Sequence, residues 1–188
     1  MSRPRACVVV VLALLGAARP ARADWLVTPS AGATFSTDTV FLDLDGVATR
    51  PHLTYGAALT RFPERVFGVD VAATVTPSLF TGHDLVESSR VVTAIGGVVI
   101  ALPKRLSHVV RPYAMIGAGL VHVRSTDIAN IFPIDSTRPA ASVGLGAWLP
   151  IGARLGARAD VRFLRSGSGS SPARFETWQT TVGAAIRF

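Results

Sequence analysis

The chain of 188 residues has a single cysteine, Cys7, and it falls inside an amino-terminal apolar run. Everything beyond that run is therefore barred from disulfides and thiol chemistry. Aromatic residues are scarce at 7%, and they are not interleaved with basic residues in the stripe that a nucleic-acid surface needs. Charged residues make up 16% of the chain, and the mean hydropathy of +0.41 is high for a soluble domain. Yet after the first run no apolar stretch reaches the roughly 20 residues of a membrane-spanning helix. The longest, residues 91–102, is interrupted by Gly96-Gly97 and is rich in β-branched residues. An apolar chain without a helical span points to a closed β-barrel, where all backbone polar groups pair within the protein.

Catalytic and metal-binding patterns are equally sparse. Two residues beyond His52, His83, His108 and His122 stand Thr54, Leu85, Val110 and Arg124. No His-x-Ser pair shares a strand face, so no histidine is set to activate a serine, and His122 and Ser125 fall on opposite faces. Asp43-Leu44-Asp45-Gly46 carries a fragment of a calcium loop without the third acidic ligand or the distal glutamate. The expectation is a protein that is not an enzyme and holds no cofactor or metal.

What is present begins with a leader. Arg3 and Arg5 precede the apolar run 6–18, and Ala21-Arg22-Ala23 offers a small-x-small cleavage site, so residues 1–23 read as a secretory signal peptide. Its removal takes away four arginines and no acid, lowering the net charge from +7 to +3. Residues 24–188 are the right length for one domain.

Within that domain the sequence predicts eight strands, at about 25–35, 52–62, 66–76, 91–102, 112–123, 140–149, 153–165 and 174–188. Prolines at 51, 63, 77, 103, 112, 139, 150 and 172 mark their limits. Links after even-numbered strands tend to be short, and those after odd-numbered strands (36–51, 77–90, 124–139, 166–173) are long and polar. That alternation, with both termini on the short-turn side, is expected of an antiparallel up-and-down transmembrane barrel. In the seventh strand Ala153, Leu155, Ala157, Ala159, Val161 and Phe163 face one way, and Arg154, Gly156, Arg158, Asp160 and Arg162 the other. The third strand sets Phe67, Val69, Val71, Ala73 and Val75 against Gly68, Asp70, Ala72, Thr74 and Thr76. The second and eighth follow suit, with the apolar set read as lipid-facing. The fourth and fifth strands offer no choice of face. Aromatic girdles are expected from Trp25, Phe62, Phe67, Tyr113, Trp148 and Phe188 at one interface, and from Phe35, Phe163, Phe175 and Trp178 at the other.

The final residues Thr181, Gly183, Ile186 and Phe188 stand where the terminal-strand assembly signal of bacterial outer-membrane barrels has its polar, glycine, hydrophobic and aromatic positions. With the leader and the eight alternating strands, the chain resembles the small OmpA/OmpX-like outer-membrane β-barrels over residues 25–188, in the barrel-only form. The resemblance implies residence in the cell outer membrane of a double-membraned bacterium and insertion by the barrel assembly machinery. It implies contact with outer-membrane lipid or lipopolysaccharide, a monomer, and a structural or surface-interaction role through loops that meet an extracellular ligand. A narrow channel for small solutes is the alternative, and a lipid-modifying enzyme a more distant one. Eight strands leave room inside for side chains and little else. The inward charges Asp70, Arg154, Arg158, Asp160, Arg162 and Arg187 are therefore expected to pair with one another, Asp70 lying at a height between Arg154 and Arg158.

Overall fold

The computed structural model describes residues 25–39, 51–61, 66–77, 86–103, 109–127, 134–167 and 175–188. Residues 1–23, expected to be a leader, and Phe62, His83, His108 and the acidic fragment at 43–46 lie outside them. Eight strands follow in chain order: β1 (Trp25–Thr39), β2 (His52–Arg61), β3 (Phe67–Pro77), β4 (Val86–Ala101), β5 (Arg111–Asp127), β6 (Ile134–Pro150), β7 (Leu155–Ser166) and β8 (Phe175–Arg187). Each pairs antiparallel with its sequence neighbour, and β8 pairs back onto β1 to close the barrel. Closure removes every sheet edge, the only way a sheet can sit in lipid. The Phe188 N–H, donating to the Trp25 carbonyl at 3.0 Å, continues that seam at the end holding both termini.

The alternation in the sequence becomes an inside and an outside. Along β3 the odd residues face out and the even ones face in, β2 and β7 do the same, and β8 alternates with the opposite parity, Gln179, Thr181 and Ala185 facing in. Large apolar side chains are exposed around the outer surface, among them Leu53, Phe67, Ile116, Leu145 and Val182. A belt of that size has no place in water, and its counterpart is lipid. On β4 and β5 both faces are apolar, which is why the sequence offered no choice. Val91, Ile95 and Val99 face in against Val98 and Ile100 out; Tyr113, Met115, Val121 and Val123 face in against Ile116 and Leu120 out.

The strands depart from the sequence expectation in length. β4, β5 and β6 run 16, 17 and 17 residues, more than the roughly 9–11 a tilted crossing needs. The surplus lies at the end opposite the termini, the loop end, where pairing continues from Arg90↔Arg124 to Val86↔Asp127 and from Arg124↔Asp135 to Ser125↔Ile134. This extension shortens the connection 128–133, so the contrast of long and short links is weaker than expected. Five prolines lie within strands: Pro77 and Pro150 are the last residues of β3 and β6, and the other three stand where a ladder is already interrupted. Pro139 lies beyond the last β6–β7 pair, Ala140↔Ser166, and Pro112 beyond the last β4–β5 pair, Ala101↔Tyr113. The β1–β8 ladder passes over Pro29 between Val27 and Ser30. Gly167 ends β7 at φ 127°, a backbone conformation side chains rarely tolerate.

The lumen is filled in layers. An apolar cluster of Leu26, Val99, Ala101, Tyr113, Met115, Trp148 and Ala185 occupies the terminal end. A second, of Val91, Ile95, Val121, Val123, Ala140, Leu164 and Phe175, lines one side toward the loop end. Three expected girdle residues are thus inside the barrel: Tyr113 is 3%, Trp148 8% and Phe175 2% exposed. Strand parity decides their direction, and Tyr113 and Met115 share the inward face of β5. Phe67 and Phe188 at the terminal end, and Phe35 and Trp178 at the loop end, do face outward. Trp178 meets Phe163 with ring centroids 5.1 Å apart.

Candidate functional site

Between the two apolar clusters the lumen is crossed by charge. β7 supplies Arg158, Asp160 and Arg162 at successive inward positions, and β3, four strands away around the barrel, supplies Asp70. Arg158 Nη1 lies 3.0 Å from Asp70 Oδ1, and Arg158 Nε 2.8 Å from Asp160 Oδ2. Arg162 Nη2 lies 2.9 Å from Asp70 Oδ2 and 3.6 Å from Asp160 Oδ2. All four side chains are at most 7% exposed. Two arginines and two aspartates balance, so the cluster places no net charge in a medium where an unpaired one costs several kcal/mol.

Neutral groups add to the shell, although the buried Arg158 Nη2 has no hydrogen-bond partner. Thr60, directly across from Asp70 in the β2–β3 register, donates to Asp70 Oδ1 and accepts from Arg158 Nη1. Tyr113 on β5 donates its hydroxyl to Asp160 Oδ1, and its ring lies 5.3 Å from the Arg158 guanidinium carbon. Strands β2, β3, β5 and β7 are thereby tied across the lumen at one height. Beside Asp70 and Arg162 a cavity of about 10 Å³ remains, bounded by Gly97, Met115, Gly117 and Ser142. Such a volume admits about one water molecule. Gly97 and Gly117 face each other across the β4–β5 pair. A Cβ on Gly97 would come 2.2 Å from the Ile116 carbonyl oxygen, so the strands approach at a spacing only glycine permits there.

Toward the loop end the same side of the lumen carries hydroxyls. Thr34, Thr54 and Thr76 join at 2.5, 2.7 and 3.3 Å, and Thr74 meets Thr93 at 2.6 Å. Gln179 Nε2 donates to Thr74 at 3.1 Å and to Thr34 at 3.4 Å.

Two of the six expected interior charges stand apart from this cluster. Arg154 is exposed, in the connection before β7, which starts at Leu155 rather than at 153. There its carbonyl accepts the Arg187 N–H at 2.8 Å, and its side chain is outside the lumen. Arg187 is half-buried on the inward side of the last β8 pair, opposite Leu26 and six residues from Thr181, far below the acids. Asp70 consequently lies between Arg158 and Arg162 in height, two inward positions nearer the loop end than expected. The sequence pattern brings neither Thr60 nor the threonine network to this site, and it puts Tyr113 in an aromatic girdle. For Thr54 and Thr60 the sign was available, since both share the polar face of the second strand. For Tyr113 it was not, because β5 is apolar on both faces.

The four residues of the expected assembly signal divide between faces. Thr181 is buried in the lumen and Gly183 half-buried on the same side; Ile186 and Phe188 are exposed on the outer surface.

No protein-family model matches the chain, nor does any curated protein. Solved structures do match. Neisserial surface protein A superposes with a TM-score of 0.67 at 11% identity, over 87% of this chain and 97% of that one. The N-terminal β-barrel domain of Pseudomonas aeruginosa OprF gives 0.54 at 15%, over 88% and 99%. Ail, the attachment invasion locus protein of Yersinia pestis, solved with the heparin analogue sucrose octasulfate, gives 0.53 at 15%, over 88% and 97%. At these identities the likeness establishes the fold. The chain has the fold of the small eight-stranded outer-membrane β-barrels, the OmpA/OmpX-like type.

Proposed function

We propose that this barrel acts through its loop-end surface and that its lumen is a structural core closed to solutes. The observation that carries the reading is the neutral Asp70–Arg158–Asp160–Arg162 cluster, which ties opposite walls together at mid-height. A path for ions would have to break these pairs, at a cost of several kcal/mol. The extended β4–β6 pairing supports the same reading, because it builds a raised platform under the loops. The fold is shared with a protein named for attachment and invasion and with another named as a surface protein. On this reading the partners are outer-membrane lipid, an extracellular ligand met by the loops, and the assembly machinery, which engages the strand carrying Thr181, Gly183, Ile186 and Phe188. The barrel works as a monomer and performs no reaction.

Planar-bilayer recording tests the closed lumen. The wild-type protein should give no steady conductance. A reproducible wild-type conductance that changes in Asp70→Ala or Arg158→Ala would replace this reading with a small-solute channel. Phe188→Ala should lower the heat-shifted, folded fraction in outer-membrane preparations; unchanged assembly would remove the assembly role of that residue.

A further inference from the structure

The outward face of the loop-end rim carries two arginines that no described residue neutralises. Arg90 on β4 and Arg124 on β5 are direct cross-strand partners, both exposed on the outer surface. Like charges placed opposite one another destabilise a strand pair. Neither guanidinium has a hydrogen bond or ion pair among the described residues. The other described charges on this outward rim are engaged. Arg165 Nε lies 3.3 Å from Glu176 Oε1, while His122 Nδ1 lies 2.9 Å from Thr137 Oγ1 and 3.7 Å from Asp135 Oδ1. Asp135 is opposite Arg124 in register, yet its carboxylate lies toward His122.

Below the two arginines the outward face turns apolar, at once on β4 through Val92, Ala94 and Val98, and beneath His122 on β5 through Leu120, Ala118 and Ile116. From Ile100 up to Arg90 the strand climbs about 25 Å, taking roughly 3.3 Å per residue and a tilt of about 40°, which is the height of a barrel's lipid belt. The Phe163–Trp178 pair sits one outward step below Arg165 and Glu176 and marks the same boundary on β7 and β8. Arg90 and Arg124 therefore stand at headgroup level in the leaflet on the loop side.

We propose that Arg90 and Arg124 form a clamp for a phosphate of a phosphorylated glycolipid in the outer leaflet, whose acyl chains lie along Val92, Ala94, Ala118 and Leu120. Paired strands hold the two side chains about 5 Å apart at Cβ. Each planar guanidinium offers two parallel N–H donors to phosphate oxygens, and the dianion supplies the countercharge the pair lacks. The assignment rests on the orientation that puts both termini in the periplasm.

The test is native mass spectrometry of the full barrel released from phosphatidylcholine vesicles. The vesicles carry bisphosphorylated lipid A, the same glycolipid stripped of phosphate, or phosphatidylglycerol. Wild-type protein should retain the bisphosphorylated lipid about tenfold more than either alternative, a difference of roughly 1.4 kcal/mol. Arg90→Gln with Arg124→Gln should bring retention down to that of the stripped lipid, and Arg165→Gln should leave it unchanged. Undiminished retention in the double variant, an equal loss in Arg165→Gln, or equal retention of phosphatidylglycerol would each overturn the proposal. Orientation is read separately. Ser168→Cys adds a lone thiol to the mature chain, and an impermeant maleimide should label it in intact cells. Labelling only after the outer membrane is breached would sink the orientation and the clamp with it, and would leave the closed lumen untouched.

Discussion

The two sides of the lumen solve one packing problem by opposite means. The side built from β1–β3, β7 and β8 presents Thr34, Thr54, Thr60, Asp70, Arg158, Arg162 and Gln179, held by directional bonds. The side built from β4 and β5 presents Val91, Ile95, Val99, Met115 and Val121, held by contact alone. Outward, both sides are equally apolar, because lipid sets the same condition all round the barrel. The interior is free of that condition, and its chemistry follows only from whether each polar group finds a partner. Tyr113 joins the two: it sits on the apolar side, and its hydroxyl reaches Asp160 on the polar one.

The contrast breaks most readily at the charges. Asp70→Ala leaves two buried arginines facing one aspartate and should cost about 3–5 kcal/mol, read as a lower urea midpoint for refolded protein in micelles. Asp70→Leu combined with Arg158→Met restores one acid to one base and should recover much of that loss. If Asp70→Ala unfolds with the wild-type midpoint, the cluster is not holding the walls together. Exchanges of equal volume sharpen the comparison further. Val99→Thr places a buried hydroxyl on the apolar side between its register partners Gly68 and Met115, neither of which carries a hydroxyl, and should cost about 1–3 kcal/mol. Thr54→Val removes a hydroxyl from the bonded side while Thr34 and Thr76 stay within 3.3 Å of each other, and should cost only about 0.5–1.5 kcal/mol. Equal costs for the two exchanges would show that the two sides do not differ in the way their bonds suggest. The smallest effect belongs to the outer surface, where Arg165→Ala should shift the midpoint by less than about 1 kcal/mol, because that arginine is more than half exposed.

The same contrast explains how much of the barrel could be read in advance. On β2, β3, β7 and β8 the polar interior writes itself as alternation, so Asp70, Arg158, Asp160 and Arg162 could be placed inside from the sequence alone. On β4 and β5 an apolar interior meets apolar lipid, the period of two disappears, and with it the inward position of Tyr113. Heights were harder than faces. A start of β7 at Leu155 rather than Ala153 puts Arg154 outside the lumen, and only the register of β6 and β8 against β7 fixes that start. Pro139 misled for a related reason: proline rules out a ladder bond, but whether a ladder exists there depends on where β7 stops. Arg90 and Arg124 are plain in the sequence, yet their opposition is a property of pairing, invisible until β4 and β5 are aligned.

The β1–β8 seam, continued by the Phe188-to-Trp25 hydrogen bond, has a consequence for the order of events in folding. It joins the two strands farthest apart along the chain, so loop-closure entropy is greatest for this contact and it closes after the hairpins of neighbouring strands. Until β8 has been made and delivered, β1 carries a full row of unanswered N–H and C=O groups. Each arrangement of fewer strands therefore ends in two sticky margins that invite pairing with a stranger. The chain thus has no safe halfway house, and its first strand waits longest for its second mate.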